Sequence, residues 1–567
     1  MTPGTASPAR SGARCLHTWW AAATFAVLFL WWPAGRALDA PSQTLGAGEA
    51  IYRTGVLPAG KPVAATNAAG TEIRGAAAAC VNCHRRSGLG SREGQSLIPP
   101  ITGRYLFRPR GGGPGPDVGY VESYRGEREP YTDATLARAI REGVNSEGKP
   151  LKPLMPRFEI NDADTAMLTD YLKSLDARHV PGVTEKILHF ATVITPDADP
   201  VKRRAMLAVL EQYVAERNAR QMTPVPRIRG AHAFMVHRRW ELHVWDLKGE
   251  PTTWQDQLRQ RLKQEPVFAL VSGLAGRTWA PVQAFCEQEA LPCLFPNVEA
   301  PVDGQRDFYS LYFSRGVFLE ADLIAKAIAD AGVKPPAVVR QVYRAGDVGE
   351  AAADALAARL AQLGIKTTRS VLPAGEPGTG LPKALQGVAE TGALVLWLRP
   401  ADLAALGEAS TAPARVYLSG LMGGQEYAPL APAWRERSHL AYPFDLPERR
   451  RVRVDFAMGW FSIRRIPVED VRLQADTYLA CGLLSETINH MADTFVRPYL
   501  VERVEDMVDH RVITGYYPRL TLASGQRFAS KGGYMVRFAE PKGTKIVAET
   551  DWVVPTFDRV RTSAALP

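Results

Sequence analysis

Cys80-Val81-Asn82-Cys83-His84 sets two thiols three residues apart, with an imidazole immediately after the second. Each thiol can add across a vinyl group on one edge of a porphyrin, and the imidazole is then carried over the ring plane as an iron ligand. This is the c-type haem attachment pattern. A zinc half-site needs a second ligand pair, and the chain holds no other C-x-x-C. A redox dithiol belongs in a strand-to-helix turn, which the Gly/Ala-rich flank Gly75 to Ala79 does not suggest. One covalently attached haem is expected.

A second axial ligand is expected downstream, and Gly148-Lys149-Pro150-Leu151-Lys152-Pro153-Leu154-Met155-Pro156-Arg157-Phe158 supplies Met155. A thioether is a soft, neutral donor that favours ferrous iron and suits an electron carrier. The flanking prolines hold the loop extended. A core methionine is the plainer reading, and His179 is the fallback ligand.

The elements around these residues resemble the class I cytochrome c family over roughly residues 46 to 178. Gly48 to Tyr52 resembles its first helix, Leu136 to Val144 the helix before the methionine loop, and Asp162 to Leu175 the closing helix. The resemblance implies an all-α unit with His84 and Met155 on iron. The chain departs from the family in the Ala/Gly-rich insertion Leu57 to Ala79 and in the Gly-rich stretch Arg108 to Gly119, which reads as a loop.

Residues 1–40 read as a secretory signal peptide. Arg10 and Arg14 precede the almost wholly apolar run Leu16 to Trp32, and small residues follow at Gly35, Ala37 and Ala40. An uncleaved anchor is the alternative, since the run is at the lower limit for a bilayer span; the membrane is a partner only in that case. Export places the chain in the periplasm. The six cysteines agree: Cys15 lies in the leader, Cys80 and Cys83 carry haem, and Cys286 and Cys293 close a short loop as disulfide candidates. Cys481 reads as a buried small hydrophobe.

At 567 residues and 46% apolar content the chain can bury several cores, and the net charge of +9 is spread, densest at Arg449-Arg450-Arg451. That reads as solvated surface, or as guidance toward an acidic redox partner; nucleic-acid binding is disfavoured. The cytochrome-like unit spans 41–178, a linker 179–185 contains Pro181-Gly182, and 186–567 follows. There the pattern alternates: strands at Lys186–Ile194, Ala233–Trp245, Val267–Ser272 and Pro292–Phe295, and helices at Val201–Arg220, Trp254–Gln264 and Trp279–Glu289. Such alternation predicts parallel sheets with helices on both faces.

The order of elements from Trp245 to Leu294 resembles the type I periplasmic binding proteins of branched-chain amino acid and amide uptake. The resemblance implies two α/β lobes joined by a hinge, with a small-molecule ligand between them. The second lobe would begin near Phe318, with helices at Leu319–Gly332 and Ala351–Leu363. Its strands would be Pro336–Tyr343, Lys366–Val371, Ala393–Leu398 and Val416–Leu421. Leu473–Arg503 would return toward the hinge, and Gly525 to Phe528 would lie in the terminal strand region.

Ligands in open α/β sheets gather beyond the carboxyl ends of strands. The loop Ser272-Gly273-Leu274-Ala275-Gly276-Arg277-Thr278 is therefore the candidate for a polar head group, with a glycine turn and helix cap as the plain reading. Asn297 and Tyr309 are further candidates, and Trp279 is a stacking wall or core. Arg277 replaces the family's small hydroxyl residue, which argues against an amino acid ligand.

His490 and Asp493, three apart on a helix, read as surface rather than as metal ligands. No nucleophile elbow, H-E-x-x-H, P-loop or dinucleotide fingerprint is present, so no independent enzyme activity is expected. The sequence points to an exported one-electron carrier fused to a module that binds a small ligand or docks a periplasmic redox partner, a dehydrogenase or another cytochrome. The alternatives are a solute receptor of an ABC-type uptake system in which haem is secondary, and the electron-accepting subunit of an alcohol- or aldehyde-oxidising system.

Overall fold

The computed structural model describes residues 40–93, 96–107, 128–175, 180–221, 238–302, 304, 307–333, 337–407, 413–491 and 494–556. Residues 1–39 of the expected leader, the Gly-rich stretch Arg108 to Gly119, His179 and Asp493 lie outside them. Among the described residues no helix is long and apolar enough to cross a membrane.

In the first unit, helix Ala40–Thr54 packs across helix Asp162–Ser174. The crossing is close because Gly48 has no side chain: a Cβ there would stand 2.2 Å from the Met167 carbonyl oxygen. Tyr52 and Tyr171 pack beside it with ring centroids 5.3 Å apart. Helix Asp133–Glu142 starts at a reciprocal Thr132/Thr135 cap and stops at Gly143, whose φ of 73° is left-handed. Ile51, Tyr52, Leu136, Ile140, Leu168 and Leu172 close the core between these helices.

The unit is not all-α. Part of the insertion forms a hairpin, Ala64–Thr66 with Glu72–Arg74, and Arg157–Glu159 joins its first strand to complete a three-stranded antiparallel sheet. The first strand of the hairpin is covered on both sides, with the consecutive residues Val63, Ala64 and Ala65 all out of solvent.

Two α/β lobes follow. In the first, strands Ile187–Ile194, Arg239–Asp246, Ala269–Val271, Cys293–Leu294 and Ser310–Leu311 are all parallel, in spatial order second, first, third, fourth, fifth. The second lobe repeats that order with Val338–Arg344, Lys366–Leu372, Ala393–Trp397, Val416–Ser419 and Ser438–Tyr442. It then adds Tyr534–Phe538 and Ile546–Ala548 antiparallel at one edge, so this sheet is mixed. Continuous apolar runs such as Ala393–Trp397, buried at every residue, are what a strand covered on both faces requires.

The returning segment Leu473 to Arg503 is helical and falls into two helices, Val471–His490 and Arg497–His510; the second starts with a proline in its first turn. A further helix, Pro447–Arg464, carries the arginine triplet. Its middle member is not solvated surface: Arg450 is 4% exposed. It donates to Glu426 at 2.7 Å and to the Asp445 carbonyl at 2.7 Å, and lies over the Tyr516 ring. These helices return the chain to the first lobe, where Phe528 bridges Tyr312 before the chain re-enters the second.

Candidate functional site

The attachment motif begins a single turn of helix, Val81–His84, with the His84 amide donating to the Cys80 carbonyl at 2.9 Å. Both thiols therefore sit on one turn ahead of the imidazole. His84 is buried, and its Nδ1 lies 2.9 Å from the Pro99 carbonyl oxygen. A carbonyl can only accept, so Nδ1 holds the proton and Nε2 keeps its lone pair with no partner among the described contacts. Burial, only partly opposed by that hydrogen bond, pushes the His84 pKa down to about 4, so the ring is neutral, as a metal ligand must be. The donor set fits a c-type haem: Cys80 and Cys83 for attachment and His84 Nε2 for iron.

Met155 lies in the loop before strand Arg157–Glu159 and packs half-buried against the same core that Cys80 and Val81 border. The loop is pinned by backbone bonds from Leu151 to Gly143 and from Met155 to Lys152. Leu154, beside it, is 52% exposed, so of the two apolar neighbours it is the methionine that turns inward.

The residues after His84 build the junction with the lobes, and no local signal in the sequence marks this. Arg85, at a φ of 64°, pairs with Glu505, which also holds Arg527. Ser87 donates to Glu502 from its amide at 2.9 Å and from its hydroxyl at 2.5 Å. Arg86 covers the Phe308 ring at 4.2 Å, and Leu89 belongs to the apolar core that runs through the lobes and the returning helices. Burial pushes the Glu502 carboxyl up to about 7, although Arg85 and Ser87 pull it down. The turn carrying the haem ligand is thus keyed into helix Arg497–His510.

Between the lobes is a small open pocket bordered by Asn297, Phe313, Phe444, Arg472, Asp476 and Tyr517, among others. Asp476 Oδ2 accepts from Arg472 and from the Tyr517 hydroxyl, each at 3.2 Å, while Oδ1 is buried without a partner. Burial raises this carboxyl to about 6 against the pull of Arg472.

Of the sequence candidates, Asn297 borders this pocket. Ser272, buried with a φ of 51°, instead joins Thr477 at 3.1 Å and Asn297 at 2.9 Å in a polar knot between the sheet and helix Val471–His490. Gly273 lies against the Trp279 ring, and Trp279 is core. The Gly276 and Arg277 amides donate to Thr195 Oγ1 and Asp197, so that loop is filled by its own chain. Thr278 Oγ1 accepts from the Ala280 amide at the start of the next helix. Tyr309 packs edge-on to Phe308 at the junction with the first unit.

At the cleft, Glu299 bridges the lobes: Lys202 reaches it at 3.2 Å and Arg399 at 2.7 Å, and Arg399 also pairs with Asp347 at 2.7 Å. Despite burial, Arg399 and Lys202 hold the Glu299 carboxyl well below the usual carboxylate range.

Cys286 and Cys293 stand as two buried thiols in hydrogen-bond contact rather than as a disulfide, both inside the first lobe's helix-facing core. Cys481 is buried, and His490 is exposed at its helix end.

The family model for cytochrome c matches residues 68–176. A search of curated proteins finds no match to the chain. Solved structures similar to it include a solute-binding protein of an ABC transporter from R. palustris in complex with benzoate: 15% identity, 67% of this chain and 100% of that one, TM-score 0.48. Others are a fatty acid ABC transporter substrate-binding protein from Thermomonospora curvata (14%, 66% and 95%, 0.47) and a branched-chain amino acid ABC transporter protein from Thermus thermophilus with bound valine (13%, 66% and 97%, 0.46). Residues 68–176 are a cytochrome c domain, whose family binds haem covalently, and the strand order repeated in the two lobes behind it is that of a doubly wound α/β fold.

Proposed function

We propose that the chain is a periplasmic one-electron carrier with a single haem, in which a two-lobed module binds a small solute and offers a docking surface to a redox partner. A bound haem supplies the electron chemistry; the chain supplies its thioethers through Cys80 and Cys83 and its axial ligands through His84 and Met155. The observation that carries this reading is the placement of His84: buried, neutral and held by Pro99 so that only Nε2 is free to bind.

The pocket chemistry suits a small molecule with a hydrogen-bond donor, an amine or alcohol, near the Asp476 carboxylate, with the rings of Phe313, Phe444 and Tyr517 around its apolar part. Arg85, Arg86 and Ser87, bonded into the lobes directly behind His84, make the carrier and the module one mechanical unit.

The test compares wild type with Met155→Ala in the ferric and ferrous states. Loss of the weak far-red ferric band and a lower reduction potential are expected. Retention of both would assign the sixth position to another side chain.

A further inference from the structure

We propose that His189, Glu241 and His243 form a binding site for a divalent transition-metal ion of the zinc class, separate from the haem. They lie on the paired strands Ile187–Ile194 and Arg239–Asp246, the latter at the edge of the first lobe's sheet. The parallel register sets His189 beside Glu241, and the two-residue period of a strand brings His243 to the same face.

The geometry is that of a ligand set. His189 Nδ1 and His243 Nε2 are 3.1 Å apart, and the Glu241 oxygens lie 3.8 Å and 3.9 Å from them. Ligand nitrogens on a tetrahedral zinc stand about 3.3 Å apart, so these two nitrogens, hydrogen-bonded to each other here, already have the spacing of a ligand pair, and the ion would replace the proton between them.

A carboxylate stands behind one of the two imidazoles. His243 Nδ1 faces Glu265 Oε2 at 3.6 Å, and that carboxylate is itself held by the Trp245 indole N–H at 2.7 Å. A proton on Nδ1 toward Glu265 leaves the Nε2 lone pair pointing at His189, the carboxylate–histidine arrangement that orients metal ligands. The carboxylates of Glu241 and Glu265 together balance a dication. Imidazole and carboxylate favour zinc, copper or nickel over magnesium or calcium, and three protein ligands leave one position open.

The purified full-length haem protein is dialysed to equilibrium against a micromolar free-zinc buffer, and zinc and iron are measured in the same sample. One zinc per iron beyond the content of His189→Asn and His243→Asn is expected. Zinc affinity should fall about 10- to 100-fold in Glu265→Gln. Circular dichroism and the haem spectrum should not change in any variant. Should a histidine variant fail to fold, Glu241→Gln, at a half-exposed carboxylate, decides the matter by weaker zinc binding. Equal zinc in wild type and variants, or none in wild type, would overturn the proposal.

Discussion

Removing the Glu505 carboxylate should uncouple the cytochrome domain from the lobes. Its side chain is 2% exposed and sits between Arg85, 17% exposed, and Arg527, 5% exposed. Glu505→Ala leaves two guanidiniums facing each other with no anion between them. Breaking a buried pair by deleting one partner costs roughly 3–5 kcal/mol, because the remaining charge stays desolvated. For a unit of the cytochrome's size, that is a fall of roughly 10–20 °C in its midpoint.

Two probes separate the units: the haem band reports the first, and fluorescence the second, because every tryptophan among the described residues lies at Trp240 or later. In wild type the two signals should melt together. In Glu505→Ala the haem signal should melt first, and Glu505→Gln, which keeps an acceptor, should fall between. Coincident, unshifted transitions in Glu505→Ala would refute the idea that this bridge holds the domains together.

Glu320 is fully buried; burial pushes its carboxyl up to about 8, ahead of hydrogen bonds from Ser419 and Leu421 that lower it. A folded pKa above the ordinary 4.5 means the fold prefers the acid form, so its stabilisation is full below about 4.5 and is lost as pH rises through about 8. The melting midpoint should fall between pH 5 and 8, and Glu320→Gln should flatten that slope; an unchanged slope would contradict it. Glu299→Gln should weaken the bridge from Lys202 to Arg399 and raise the radius of gyration in small-angle scattering, and an unchanged radius would mean the lobes are held by other contacts. Asp476→Asn should reduce the affinity for any amine found to bind the pocket by about tenfold or more, consistent with loss of a charge-assisted hydrogen bond.

The haem motif was legible because its chemistry is local: five consecutive residues contain both thiols and the imidazole. The methionine loop was readable from its flanking prolines, and the helices around it through their resemblance to class I cytochromes c at Gly48 to Tyr52, Leu136 to Val144 and Asp162 to Leu175. The lobes were readable from alternation, since buried parallel strands leave uninterrupted apolar runs such as Ala393–Trp397.

The junction was not readable. Ser87 and Glu502 are 415 residues apart, and a glutamate inside a helical pattern looks the same whether it meets water or a serine from another domain. Arg472 and Asp476 escaped notice for a similar reason: four apart on a helix, they resemble a surface pair, yet both border the cleft. The glycine loop after Val271 drew attention because glycines admit a ligand, but Asp197, brought in from the preceding strand's loop, already takes its amide. The hairpin in the insertion was missed because alanine-rich strands carry little β signal.

The central claim is a haem stitched to the first unit by Cys80 and Cys83. It is tested most directly by the intact mass of the protein exported in a host that matures such cytochromes, read beside Cys80→Ser and Cys83→Ser. The account predicts the mass of one added haem that survives denaturation in wild type and is lost when both cysteines are replaced. A colourless product of unmodified mass would contradict it.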